Sequence, residues 1–148
     1  MSAITWLRVE GDRLIRADLI TELDLWGPSV GHGTVVAGQE ARIIAFVGAD
    51  RDHWVEVGRV TKCEWGGDLI TSLASALARA AGSAEAVRYV YGLYEGGALI
   101  GWSSGPVIPV SDPRVRPLHT VADPAPGKWL RYSAGQGRPS NLAAASSS

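Results

Sequence analysis

The first stretch of the chain alternates between apolar and polar residues, the two-residue period of strands with one buried face. Ile4 to Val9 is the first such run, and Glu10-Gly11-Asp12 closes it with a hairpin-type turn. The alternation resumes from about Leu14 to Leu25, with Ile15, Ala17, Leu19, Thr21, Leu23 and Leu25 on one parity and Arg16, Asp18, Glu22 and Asp24 on the other. That pattern predicts one long strand with a buried face and a wet one. A breaker-rich loop follows, Trp26 to Gly33, and then Thr34 to Ala37 and Ala41 to Val47 flank Gly38-Gln39-Glu40 as a second hairpin. Ile43 to Val47 is apolar without interruption, as expected of a central strand covered on both faces. Asp50-Arg51-Asp52 then turns the chain into a further strand, Trp54 to Cys63.

The period changes after Gly66-Gly67. Ile70, Leu73, Ala74, Leu77, Ala80 and Ala81 recur every three or four residues, which predicts a helix over about 68–81 with Asp68 as N-cap and Gly82 as its stop. Ile70, Leu73 and Leu77 are expected to pack on the sheet. Val87 to Tyr94, a Glu95-Gly96-Gly97 turn and Ala98 to Trp102 form a third hairpin, and Val107 to Val110 suggests a short edge strand. The expected fold is therefore α+β, a curved and mainly antiparallel sheet or half-barrel of hairpins carrying one packed helix. Residues 1–112 are expected to form this core domain. From 113 to 148 the sequence is rich in proline, glycine, alanine and serine, which predicts an extended arm and tail.

Composition narrows the class. The chain has 148 residues, 46% hydrophobic and 20% charged, enough to bury a core without a metal or disulfide staple. One cysteine, Cys63, allows no intrachain disulfide, and no segment reads as a signal peptide or a membrane span. A cytoplasmic protein without membrane contact is the expectation. The formal charge of -1 argues against nucleic acid as a partner, although Arg13, Arg16, Arg131 and Arg138 could form a local patch. All but two of the Lys and Arg side chains are arginine, which suits bidentate carboxylate contacts.

Candidate chemistry is sparse. Asp50, Asp52 and His53 are the densest group of potential metal ligands, but they lack the other positions of a calcium loop and read better as a solvated turn. Gly101-Trp102-Ser103-Ser104-Gly105 meets the G-x-S-x-G spacing of a nucleophile elbow, yet Pro106 and an extended segment stand where that motif needs a helix. His32 lies between two glycines on a loop without a recognisable partner. Gly66-Gly67-Asp68 opens the helix, but Asp68 would repel a phosphate. Cys63 has no histidine motif nearby and reads as a small hydrophobe. No catalytic residue, metal ligand or cofactor is assigned on these grounds.

Aromatic usage is the unusual feature: six tryptophans and four tyrosines accompany one phenylalanine. Rings with one apolar and one polar end suit interfaces as well as cores. The leading expectation is a non-catalytic interaction or assembly domain, its partner a protein or a second copy, with Trp102, Trp129, Arg131 and Tyr132 as contacts. The alternative is a small-molecule-binding domain or hydrolase-like enzyme whose pocket lies in the curved sheet, with His32, Asp52 and His53 at its rim.

Overall fold

The computed structural model describes residues 2–27 and 38–117 of the chain. The expected Thr34 to Ala37 strand, His32, Trp129, Arg131, Tyr132 and the tail lie outside the described residues. Seven strands and one α-helix are present among those described: β1 (Ile4–Val9), β2 (Arg13–Arg16), β3 (Ile20–Trp26), β4 (Ala41–Val47), β5 (Trp54–Val60), α1 (Gly66–Ala81), β6 (Val87–Glu95) and β7 (Ala98–Gly105). They form an α+β fold with two sheets, one ordered β2-β1-β6-β7 and the other β3-β4-β5. Every pairing is antiparallel except β1 with β6, which run parallel from Ile4 opposite Val87 to Leu7 opposite Val90.

The long strand expected from Leu14 to Leu25 is instead two strands in different sheets. A 3-10 turn, Ala17–Leu19, separates β2 from β3 and carries the chain from one sheet to the other. Its rotation ends the parity that runs through the sequence: Leu19 is 51% exposed rather than inward. Thr21, also on the expected buried parity, is the extra residue of a bulge, since Ile20 pairs with Val47 and Glu22 with Phe46. Its hydroxyl donates instead to the carbonyl of Gly48 at 2.9 Å. The expected edge strand at Val107 to Val110 does not form; its residues are in a bend, irregular backbone and a turn.

The helix starts earlier than Asp68. A 3-10 turn, Cys63–Trp65, feeds it directly, and Trp65 at the N-cap already has helical dihedrals, so no extended capping residue exists and no side chain caps the end. Asp68 sits in the first turn, where its charge still complements the helix dipole. Gly82 ends the helix without a left-handed conformation, its N–H bonded to the Ala78 carbonyl at 3.2 Å.

The buried stripe of α1 is Gly66, Leu69, Leu73, Ala76 and Ala80, with Ile70 and Leu77 half-buried at its flank and Ala74 exposed. Both Leu69 and Ile70 fit a helical period, and the sequence alone does not say which faces inward. This stripe packs against Leu7, Val9 and Val90 of the four-stranded sheet and Ile43, Ala45, Val57 and Val60 of the three-stranded one, forming one core. At the corner where the sheets meet, the Glu10 N–H donates to the Glu56 carbonyl at 3.0 Å. No helix among the described residues is long and apolar enough to cross a membrane.

Candidate functional site

The three-stranded sheet has its core face and an outer face set by the two-residue period of its strands. On β4, Ile43 and Ala45 join the core while Arg42, Ile44 and Phe46 point the other way. Leu23 and Leu25 of β3, and Val55 and Val57 of β5, also pack inward. Glu22, Asp24 and Trp26 of β3, together with Trp54 and Glu56 of β5, are left on the outer face. Their contacts confirm the placement. The Trp26 ring meets Trp54 edge-on with centroids 4.8 Å apart and Phe46 at 6.0 Å, an attractive geometry for aromatic quadrupoles. Since Trp26 stands beside Arg42 and Trp54 beside Phe46, the line between the two indoles crosses β4 at Ile44. Ile44 is fully buried, whereas Trp54 is 42% exposed.

Charge surrounds this aromatic centre. The Arg51 guanidinium lies 4.4 Å from the Phe46 ring centroid and is hydrogen-bonded to Glu22. The Trp26 indole N–H donates to Asp24 at 3.1 Å. At the other end a bulge in β5 pairs Ile43 with Gly58 and Ile44 with Glu56, turning Gly58 inward and returning Arg59 to the outer face opposite Arg42. Glu56 then serves both arginines, Arg59 at 3.0 Å and Arg42 at 3.5 Å. Arg42, Arg51 and Arg59 thus share this face with Glu22, Asp24 and Glu56, and Glu40 stands beside Arg59, so charges of both signs surround the rings.

A cleft of about 650 Å³ opens beside Trp26, lined by Gly27, Gln39, Glu40, Arg42 and Arg59. It shares Glu40 and Arg59 with a second cleft of about 360 Å³, whose other walls are Glu10, Tyr94, Gly97 and Arg116. The charged groups of this second cleft are already matched. Arg116 bonds Glu10 at 2.6 Å, lies 4.9 Å over the Tyr94 ring and reaches its hydroxyl at 3.4 Å, and Arg59 stands 3.7 Å from Glu40. A charged ligand would have to displace these pairs.

Tyr94 lies against Gly58 and Gly92, which have no side chains to obstruct it. Burial pushes its hydroxyl above the usual tyrosine range, and the positive Arg116 opposes that rise without cancelling it. A raised folded-state value means that the neutral phenol's contribution is intact below the unfolded value and is lost as pH rises through the folded one. Wild-type stability should therefore fall more steeply than that of Tyr94→Phe between about pH 9 and about pH 11. Urea midpoints of the two proteins at both pH values test this; parallel declines would rule out Tyr94 as the source.

Of the residues singled out in the sequence, those described lie in different elements, Trp102 in β7 and the adjacent Asp52 and His53 in the turn between β4 and β5. Trp102 is half-buried in β7, where its indole packs on the core and donates to the Leu69 carbonyl at 2.8 Å, so its polar end helps anchor the first turns of α1. Asp52 and His53 lie in the exposed turn between β4 and β5, where Asp50 accepts the Asp52 N–H at 2.9 Å and stands 3.4 Å from the His53 ring. Neither residue lines either cleft. Ser103 lies within β7, paired with Tyr91, and not on a strand-to-helix turn. The aromatic centre was legible only in part: Trp26 and Trp54 stand at strand ends, and Arg42, Ile44 and Phe46 share a parity within β4. Compared with known proteins, the chain matches no family model, no curated protein and no solved structure.

Proposed function

We propose that the chain is a non-catalytic interaction domain that docks a protein partner on the outer face of the three-stranded sheet. The observation that carries this reading is the partly exposed Trp54, seated edge-on against Trp26 and surrounded by arginine–carboxylate pairs. An aromatic anchor within a polar rim is the usual anatomy of a binding hot spot. The rim of mixed sign favours a partner surface with an apolar centre and charges of both signs, because a surface strongly charged in one sense would meet like charges here. The matched ion pairs in the smaller cleft favour this reading over a ligand-binding or hydrolase-like one. A cytoplasmic setting accords with Cys63 as the only cysteine.

A photo-crosslinking residue placed at position 54 in the native host should capture a defined partner that the same residue at exposed Glu85 does not. The purified partner should then bind Trp54→Ala at least about 30-fold more weakly than wild type, the effect of losing a hot-spot residue worth about 2 kcal/mol. Equal affinity for the two proteins would overturn the reading.

A further inference from the structure

The chemistry of the aromatic face narrows the kind of segment it can hold. Phe46 is only 4% exposed and Ile44 is fully buried, so the apolar surface open to a partner is Trp54 and the flank of Trp26. That is too short for an amphipathic helix, which needs a stripe of anchors over about two turns. Strand addition is opposed at both edges of this sheet. β3 carries Glu22, Asp24 and the Thr21 bulge, while β5 carries Glu56, Arg59 and a bulge at Val57, and its Glu56 carbonyl already accepts the Glu10 N–H. A phosphorylated or acidic motif would have to compete with the carboxylates that hold the arginines.

The hydrogen-bonding capacity left over on this face lies mostly with donors. Asp24 accepts from the Leu25 backbone and the Trp26 indole, and the two oxygens of Glu56 accept from Arg42 and Arg59. The Glu56 side chain is 16% exposed, whereas Arg42, Arg51 and Arg59 are open to solvent. Each of these guanidiniums has several N–H groups and commits one to a hydrogen bond with a carboxylate. The indole N–H of Trp54 makes no hydrogen bond among the described residues, unlike those of Trp26 and Trp102.

We infer that the partner presents a proline-rich segment in the polyproline II conformation, an inference that rests on the docking role of this face. Proline has no backbone N–H, and a polyproline II segment makes no internal hydrogen bonds, so it offers apolar rings and free carbonyls but few donors. Such a ligand is the electrostatic complement of exposed indole beside unspent N–H groups. A proline ring packs on Trp54, and a carbonyl of the segment accepts its indole N–H. The cleft beside Trp26, walled by Gln39, Arg42 and Arg59, continues the donor-rich surface for the carbonyls that follow. Because the segment is extended before it binds, little ordering cost falls on so small a contact.

A blocked octaproline peptide titrated into the full-length chain should move the Trp54 indole N–H resonance saturably and leave that of Trp102, held by the Leu69 carbonyl, in place. A glycine–serine peptide of the same length should move neither. This titration uses the wild-type chain, so no folding defect can imitate its result. Trp54→Ala should weaken octaproline binding at least about tenfold, and Trp54→Phe, which keeps a ring without the donor, by about two- to tenfold, the worth of one hydrogen bond. Octaproline should also displace the partner captured through position 54. A Trp54 resonance that does not respond, an equal response to the glycine–serine peptide, or binding indifferent to Trp54→Ala would overturn the inference. A captured partner that octaproline leaves bound would overturn it too while the docking role stands, whereas equal affinity of that partner for wild type and Trp54→Ala would remove both.

Discussion

Leu73→Ala should lower unfolding stability by about 2–5 kcal/mol, the range for removing a leucine from a close-packed core. Leu73 is fully buried at the centre of the inward stripe of α1, within the core cluster formed with both sheets. Alanine is the better helix former, but that advantage amounts to only a few tenths of a kcal/mol. The cavity and the lost transfer energy therefore decide the sign. Total stability for a domain of this size is about 5–15 kcal/mol, so the change removes a large share of it. A urea titration measures the effect, and a loss below about 0.5 kcal/mol would mean that Leu73 does not sit in a packed core.

Gly92→Ala should also destabilise, by about 1–3 kcal/mol, even though replacing glycine restricts the unfolded chain and by itself stabilises by about 0.4–1 kcal/mol. The added carbon would lie 2.8 Å from a Leu99 methyl and 3.1 Å from the Tyr94 ring. Neither neighbour yields freely. Leu99 is only 2% exposed, and Tyr94 is held by Arg116 through its ring and its hydroxyl. Overpacking should outweigh the entropic gain. Gly92→Ala in a Tyr94→Ala, Leu99→Ala background tests the cause, because its cost should shrink once both obstructing side chains are removed. An undiminished cost in that background would refute the steric account.

Local patterning carried much of this fold. Ile4 to Val9 is the observed β1, the uninterrupted apolar run in β4 has Ile43 to Phe46 buried, and Gly96 and Gly97 form the β6–β7 turn with φ of 57° and 81°. Such features are decided by neighbours in sequence. The division into two sheets is not, because a two-residue period continues to count through Ala17–Leu19 whether or not the strand turns a corner. The helix face was legible to within one residue, since Leu69 and Ile70 are equivalent until a packing partner selects between them. The aromatic face needed three strands in register before Trp26, Phe46 and Trp54 could meet. The bond from the Trp102 indole to the Leu69 carbonyl likewise joins residues 33 apart in sequence and has no local signature.

The parallel pairing of β1 with β6 bears on the order in which the protein can assemble as it is synthesised. β1 is made before the other six strands, but its parallel partner, with Val90 beside Leu7, is made only after α1. At roughly 5–20 residues per second, translation separates them by several seconds. Until then β1 has only β2, and a lone two-stranded hairpin is marginal in water. The strands β3, β4 and β5 pair with sequence neighbours and can form sooner. Of the seven strands, the first made is thus among the last to be paired on both of its edges.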